Sequence, residues 1–200
     1  MKKHRGEYPM PMPEIPGWMS GAELEWLYQR AKEYRFIVEV GSAFGRSSHA
    51  LLIGNYETFG KDGRVYCVDP WPLKDEVTKQ FDHNRKDINR RTWFILTCSC
   101  FPNLNILEVD SHRASMLFPL NGSVDMVFLD GGTDQIANDL LDWRDIPSKL
   151  LCGHDYSDEY PKVKRAVEAH ALSPACRGVL EVVEGTTIWH EKRGQDASVL

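Results

Sequence analysis

Five acids stand at or near the ends of short apolar runs. Asp69 closes "RVYCVD", Asp110 closes "LNILEVD", Asp130 closes "VDMVFLD", Asp155 follows "KLLCGH", and Glu39 sits near the end of "FIVEV". Runs of this length, rich in Val, Ile and Leu, read as strands buried on both faces of a parallel sheet. Such a sheet gathers the strand ends along one edge, where open α/β folds bind their ligands. Carboxylates there can hold ribose hydroxyls, coordinate a hard cation or accept a proton. Each acid alone is as readily a turn residue or a helix cap. Five on one shared edge favour a ligand site.

The turn after the first strand narrows the ligand. "EVGSAFGRSS" places Gly41 and Gly45 between a strand and a helix, where glycine permits close backbone approach and the helix start offers free N–H groups to an anion. A dinucleotide fingerprint would read GxGxxG; here the spacing is GxxxG, which argues against a nicotinamide or flavin cofactor. Asp69, at the end of the second strand, is placed to hold the two hydroxyls of a ribose. A nucleoside with a carboxylate and no pyrophosphate describes S-adenosylmethionine.

The elements that would position these residues alternate regularly. "SGAELEWLYQRAKEY" reads as a helix with Ser20 and Glu23 in capping-box spacing, and Leu24, Leu27 and Ala31 on its core face. "SSHALLIGNYE", residues 73–97, "QIANDLLDWRD" and "PKVKRAVEAHAL" supply further helices, the last with proline in its first turn. "GVLEVVEG" and "TTIWHEK" form a closing antiparallel hairpin. Strands alternating with helices predict a mostly parallel sheet covered on both faces, with one antiparallel strand added at the end.

Composition agrees with a globular protein. The 200 residues are 42% hydrophobic, enough to bury a full core, and the net charge of −5 with a pI near 5.8 gives no broad nucleic-acid-binding surface. The basic, proline-studded start lacks the apolar run of a signal peptide, and no segment approaches a membrane span. A cytoplasmic protein is expected, with no membrane or nucleic-acid partner. Five cysteines lack paired CxxC spacing. Cys67 and Cys152 lie in strand-like runs as small hydrophobes, and "CSC" at 98–100 is a lone cluster for a soft metal.

Together "IVEVGSAFGRSSHALL", "VYCVDPW", "VDMVFLDG", "DLLDW", "LLCGHDY" with "PKVKRAV", and "GTTIWH" resemble class I S-adenosylmethionine-dependent methyltransferases. More narrowly, they resemble the small O-methyltransferase-like family of cephalosporin-hydroxylase-like and macrolide-tailoring proteins. The resemblance spans about residues 17–190. It implies an α/β fold of three layers around a Rossmann-like methyltransferase sheet, seven strands with the final one antiparallel. Residues 1–17 would be a proline-rich arm and 18–200 a single methyltransferase-like domain.

Carried over residue by residue, the resemblance puts Glu39, Gly41, Ser42, Gly45 and Ser47 around the methionine end of the cofactor. It puts Asp69 on the ribose and Asp110 with Ser111 near the adenine. Ser47 is otherwise an ordinary first-turn residue of its helix. In metal-dependent relatives an acid after the fourth strand and a pair after the fifth hold magnesium; Asp130, His154 and Asp155 fall on those positions. A histidine in the set tilts the preference toward manganese, iron or zinc, unless His154 orients substrate without touching metal. The family commonly reads "DGDH" where this chain reads "DGGT", so Gly132 and Thr133 replace an acid and a histidine. A lysine base of catechol-type relatives also falls near Thr133. The "KPGG" turn is replaced by "IPSKLL". Cofactor binding looks intact and the usual base is absent.

Two functions from different classes fit. One is O-methylation of a hydroxyl on a small molecule or sugar, with Asp130 and His154 catalytic and a divalent metal or the His154 imidazole aiding deprotonation. The other is a catalytically degenerate cofactor-binding protein with a scaffold or partner role. Residues 73–103, with His83, Arg85, Arg90, Arg91 and Trp93, are expected to overhang the site, although such a run is also a common solvated helix face. The proline-rich arm could pack on a neighbouring copy in a homo-oligomer.

Overall fold

A computed structural model describes residues 15–71, 89–120 and 122–193. Seven strands form one sheet: β1 (Phe36–Val40), β2 (Arg64–Val68), β3 (Leu104–Leu107), β4 (Val124–Leu129), β5 (Pro147–Gly153), β6 (Val179–Val182) and β7 (Trp189–Lys192). Their order across the sheet is β3-β2-β1-β4-β5-β7-β6. Pairings from β3 through β5 are parallel, and β7 runs antiparallel to both β5 and β6. This is the mixed α/β sheet that the strand-helix alternation predicts, including the antiparallel closure. Chain order reverses between β1 and β4, which opens a crevice at their carboxyl ends.

Among the described residues, six α-helices cover the sheet: α1 (Gly21–Ala31), α2 (Arg46–Phe59), α3 (Arg90–Cys98), α4 (Ser111–Ser115), α5 (Ile136–Trp143) and α6 (Pro161–Ala171). Side chains alternate across the strands as the pleat requires. Ile37, Met126 and Phe128 pack on one face against Leu24, Leu27 and Ala31 of α1, Leu51 of α2 and Phe94 of α3. Val38, Val40, Val127 and Leu129 pack on the other against Ala114, Leu140, Trp143, Val163 and Val167. Three layers and two apolar cores result.

The helix ends form where the sequence places their caps. Ser20 and Glu23 close the capping box of α1, and Pro161 opens α6. Cys67, Cys98 and Cys152 are buried, and burial pushes their thiols up, leaving them unreactive. Cys100 is exposed, so "CSC" does not converge on one point. No described helix is long and apolar enough to cross a membrane.

Candidate functional site

The sheet ladder continues one residue past several strands and so fixes the site's floor. Gly41 N donates to Val68 O, Asp130 N to Val40 O, Asp69 N to Leu107 O and His154 N to Leu129 O, at 2.8–3.2 Å. Gly41, Asp69, Asp130 and His154 are thereby held in a row along one edge. Above them lies a cavity of about 1000 Å³. Gly41, Ser42, Ser47, Asp69, Asp110, Ser111, Asp130, His154 and Asp155 all line it.

Glu39 and Gly45 are not in that lining. Glu39 is fully buried beneath the loop. Its Oε2 accepts from Ser42 Oγ at 2.7 Å and from Ser48 Oγ. Burial raises its pKa and Ser47, Ser48 and Ser42 oppose the rise. Glu39 supports the loop from below. Gly45 takes φ +89°, and a Cβ there would lie 2.8 Å from Cys98 Sγ. Gly41 takes φ +93°, and its Cβ would lie 2.1 Å from Asp130 O. Both glycines therefore answer to backbone conformation and to packing within the protein. α2 begins at this loop with no side-chain cap, leaving first-turn N–H groups beside Arg46 and Ser47 in the cavity wall.

Asp69 ties two loops together. Its Oδ2 accepts from Ala43 N at 2.9 Å and its Oδ1 from Trp71 N at 2.7 Å, while Trp71 Nε1 donates to Ala43 O at 2.8 Å. Ala43 and Trp71 both have positive φ, so this carboxylate holds backbone that is costly to hold. A carboxylate oxygen can accept more than one hydrogen bond, the chemistry by which an acid holds ligand hydroxyls. Asp110 lies three residues past β3, where its Oδ1 caps α4 by accepting from Arg113 N at 2.9 Å.

At the other end, three carboxylates surround one imidazole. His154 Nδ1 lies 2.9 Å from Asp155 Oδ1 and 3.5 Å from Asp130 Oδ1, and Nε2 lies 3.2 Å from Glu23 Oε1. The Nε2 contact is at ion-pair distance but off the line of a good hydrogen bond. Burial alone would lower the His154 pKa; Asp130, Asp155 and Glu23 overcome it and push the value up to about 12. Burial raises Asp130 against the pull of His154. Glu23 is held well below the usual carboxylate range because His154, Thr187 N and Ser20 N outweigh its burial. These three carboxylates favour the protonated imidazole of metal-free His154, which works against a general-base role. Asp155 has φ +65°, a second mark of local strain.

These residues also suit a divalent cation. Asp130, His154 and Asp155 bring one ligand atom each within 4.8 Å of one another. The Nδ1 face meets the two aspartates and the Nε2 face meets Glu23, the arrangement in which an outer carboxylate orients a histidine ligand. His170, Cys176 and Glu191 cluster equally closely. There, however, Glu191 already accepts from Arg177 N, His170 Nε2 and both Nε and Nη2 of Arg193 at 2.6–3.2 Å. A guanidinium fills that place.

Several cavity residues escaped the sequence reading. Arg46 donates from Nε to Met19 O at 3.0 Å and from Nη1 to Ile15 O at 2.7 Å, holding residues 16–19 as one wall. Trp18, 53% exposed, faces Phe44 with ring centroids 6.4 Å apart. Glu23 reads from sequence only as a cap. Asp139 shares the buried face of α5 with Ile136, Leu140 and Trp143, and an acid on an apolar stripe is the signal that marks it. Of the overhanging residues, Arg90 lines the cavity and Arg91 pairs with Glu108 at 2.9 Å; Trp93 is not in the lining, and His83 and Arg85 lie outside the described residues.

Comparison with known proteins bears on the fold and the family. No curated protein matches the sequence. Among solved structures, an SAH-bound Podospora anserina methyltransferase aligns with TM-score 0.62 at 13% identity, over 90% of this chain and 80% of that one. The O-methyltransferase TomG from Streptomyces achromogenes, in complex with SAM, aligns with TM-score 0.59 at 14% identity, over 91% and 83%. An O-methyltransferase from Bacillus cereus, in complex with SAH, gives 0.57 at 15% identity, over 90% and 84%. Residues 38–156, from β1 through the strained turn after β5, match the family profile of a methyltransferase domain, and the chain belongs to that family.

Proposed function

We propose that the protein binds S-adenosylmethionine along the β1, β2 and β3 ends and methylates a hydroxyl of a small molecule or sugar held near Asp130 and His154. The observation that carries this is the uncapped start of α2 opening beside Arg46 and Ser47 onto the same cavity as Asp69. The helix start suits a carboxylate, Asp69 suits two hydroxyls, and the acid group at the β4 and β5 ends suits a polar acceptor. Complexes of fold relatives with SAM or SAH support the choice of cofactor.

In methyl transfer, the acceptor oxygen bonds the methyl carbon as the sulfonium carbon–sulfur bond breaks, and the hydroxyl proton must leave. Asp130 faces the cavity and is the group we assign to receive that proton. His154 holds Asp130 and Asp155 in place as a donor. A divalent ion held by Asp130, His154 and Asp155 would supply Lewis acidity that lowers the acceptor's pKa. Thr133 at the usual base position favours a second function, a cofactor-binding protein without catalysis. Purified protein with methyl-labelled cofactor and a mixed pool of hydroxylated compounds separates the two. Label transferred to an acceptor and lost in Asp130→Asn is expected; cofactor binding without transfer to any compound would favour the scaffold.

A further inference from the structure

Residues 15–19 form a strap beside the start of α2. Its ends are buried, Ile15 at 2% exposure and Met19 at 5%, while Trp18 between them is 53% exposed. One side chain fastens both ends: Arg46 Nη1 donates to Ile15 O at 2.7 Å and Nε to Met19 O at 3.0 Å. Gly17 packs on the stem of the same arginine. It takes φ +150°, and an added Cβ would lie 2.8 Å from Arg46 Cδ. The position of Arg46 thus sets the position of the strap.

Arg46 is also the first residue of α2. A cation there opposes the helix dipole, and α2 has neither an acid in its first turn nor a side-chain cap. Both described hydrogen bonds of the guanidinium go to neutral carbonyls. This corner is positive, and α2 brings no acid of its own to balance it. Pro16, Gly17, Trp18, Met19 and Arg46 all line the cavity, so the charge and the strap face one space.

Resting on the cofactor assignment above, we infer that Arg46 is a positioning residue that couples cofactor occupancy to closure of the strap. A cofactor carboxylate at the start of α2 supplies the counter-charge that the corner lacks. The guanidinium fork then stays aligned on its two carbonyls, and residues 16–19 complete the wall beside which the acceptor is placed. Cofactor binding therefore precedes acceptor binding. Such coupling is reciprocal: whatever loosens the strap weakens the cofactor by the same factor.

Chymotryptic cleavage after Trp18, followed by mass, tests this without any acceptor, because cleavage tracks the population of the opened segment. Cleavage after Phe94, which is fully buried, reports opening of the whole domain. The two ligands are S-adenosylhomocysteine and methylthioadenosine, which keeps the nucleoside and lacks the carboxylate, with occupancy matched by calorimetry. In wild type, cleavage after Trp18 should outpace cleavage after Phe94. S-adenosylhomocysteine at about a hundred times its Kd should slow cleavage after Trp18 by at least roughly tenfold, and methylthioadenosine should slow it far less. Arg46→Ala should erase the difference between the ligands. Gly17→Ala, which forces strap and clamp apart and keeps the guanidinium, should narrow it, and decides the matter if Arg46→Ala does not fold. Equal slowing by both ligands, no slowing by bound S-adenosylhomocysteine, or cleavage after Trp18 no faster than after Phe94 would overturn the coupling and leave the cofactor assignment standing. A difference undiminished in both variants would overturn the role of Arg46. Failure of folded wild type to bind either ligand would overturn the cofactor assignment and this inference with it.

Discussion

Glu23 Oε1, on the first helix, lies 3.2 Å from Nε2 of His154, beyond the fifth strand. The same oxygen accepts from Thr187 N and Oγ1 at 3.0 Å, while Oε2 closes the capping box on Ser20 N at 2.7 Å. One carboxylate thus joins the start of α1, the turn before β7 and the back of the catalytic candidate. Because Glu23 faces Nε2, Nδ1 faces the cavity aspartates.

The charge on His154 follows from this. Its folded pKa is raised from 6.5 to about 12, so its ion pairs contribute fully below 6.5 and are lost as pH rises through about 12. In metal-free protein, the His154 ring signals in NMR should not titrate between pH 5 and 9. A midpoint near 6.5 would contradict the three-carboxylate cage. Glu23→Gln should move the pKa down while costing about 1–3 kcal/mol of stability in urea unfolding, since it also weakens the cap and the Thr187 contacts.

Metal binding must displace that proton. If Asp130, His154 and Asp155 hold a divalent ion, manganese should raise the melting temperature of wild type, and more so at pH 8 than at pH 6. Asp130→Ala and Asp155→Ala should each abolish the rise. Equal responses from wild type and both variants would remove metal from the site.

Asp69 ties two loops together, and the proposed function gives it the ribose as well. Asp69→Asn keeps size but weakens acceptance from Ala43 N, Trp71 N and a ribose. Affinity for S-adenosylhomocysteine should fall by roughly ten- to a hundredfold, with one or two charge-assisted bonds lost. Calorimetry at unchanged affinity would place the nucleoside elsewhere. A fall in stability with ligand affinity retained would leave Asp69 as a loop tie only.

Far from the cavity, Glu191 should govern acid stability. Burial would raise its pKa, but His170, Arg193 and Arg177 N outweigh it and bring it down to about 2. Its contribution is present above 4.5, its ordinary value, and is lost as pH falls through about 2. Glu191→Gln leaves the Arg193 guanidinium buried without its carboxylate, a loss of about 3–5 kcal/mol. Melting followed from pH 7 to 2 should show a large wild-type advantage at pH 7 that shrinks below 4.5. Curves that stay parallel to pH 2 would contradict the depressed pKa.

The sequence by itself determined the elements and the edge. The continuous apolar runs in "FIVEV" and "VDMVFLD", the Ser20–Glu23 box and the Gly41–Gly45 spacing are local signals, and local sterics and caps act over a few residues. The parallel pairing then places Asp69, Asp130 and His154 in a row, as strand ends in a parallel sheet must be. What each acid does there is another matter, because it depends on partners distant in the chain. Asp110 became a cap through Arg113, Glu39 moved beneath the loop through Ser42 and Ser48, and the Gly41 gap was filled by Asp130 backbone. His154 reads as a base near its ordinary pKa until the fold brings Glu23, Asp130 and Asp155 around it. Three carboxylates fix an imidazole's charge only when packing holds them within about 4 Å in a site that excludes water. That convergence is a property of the tertiary structure alone.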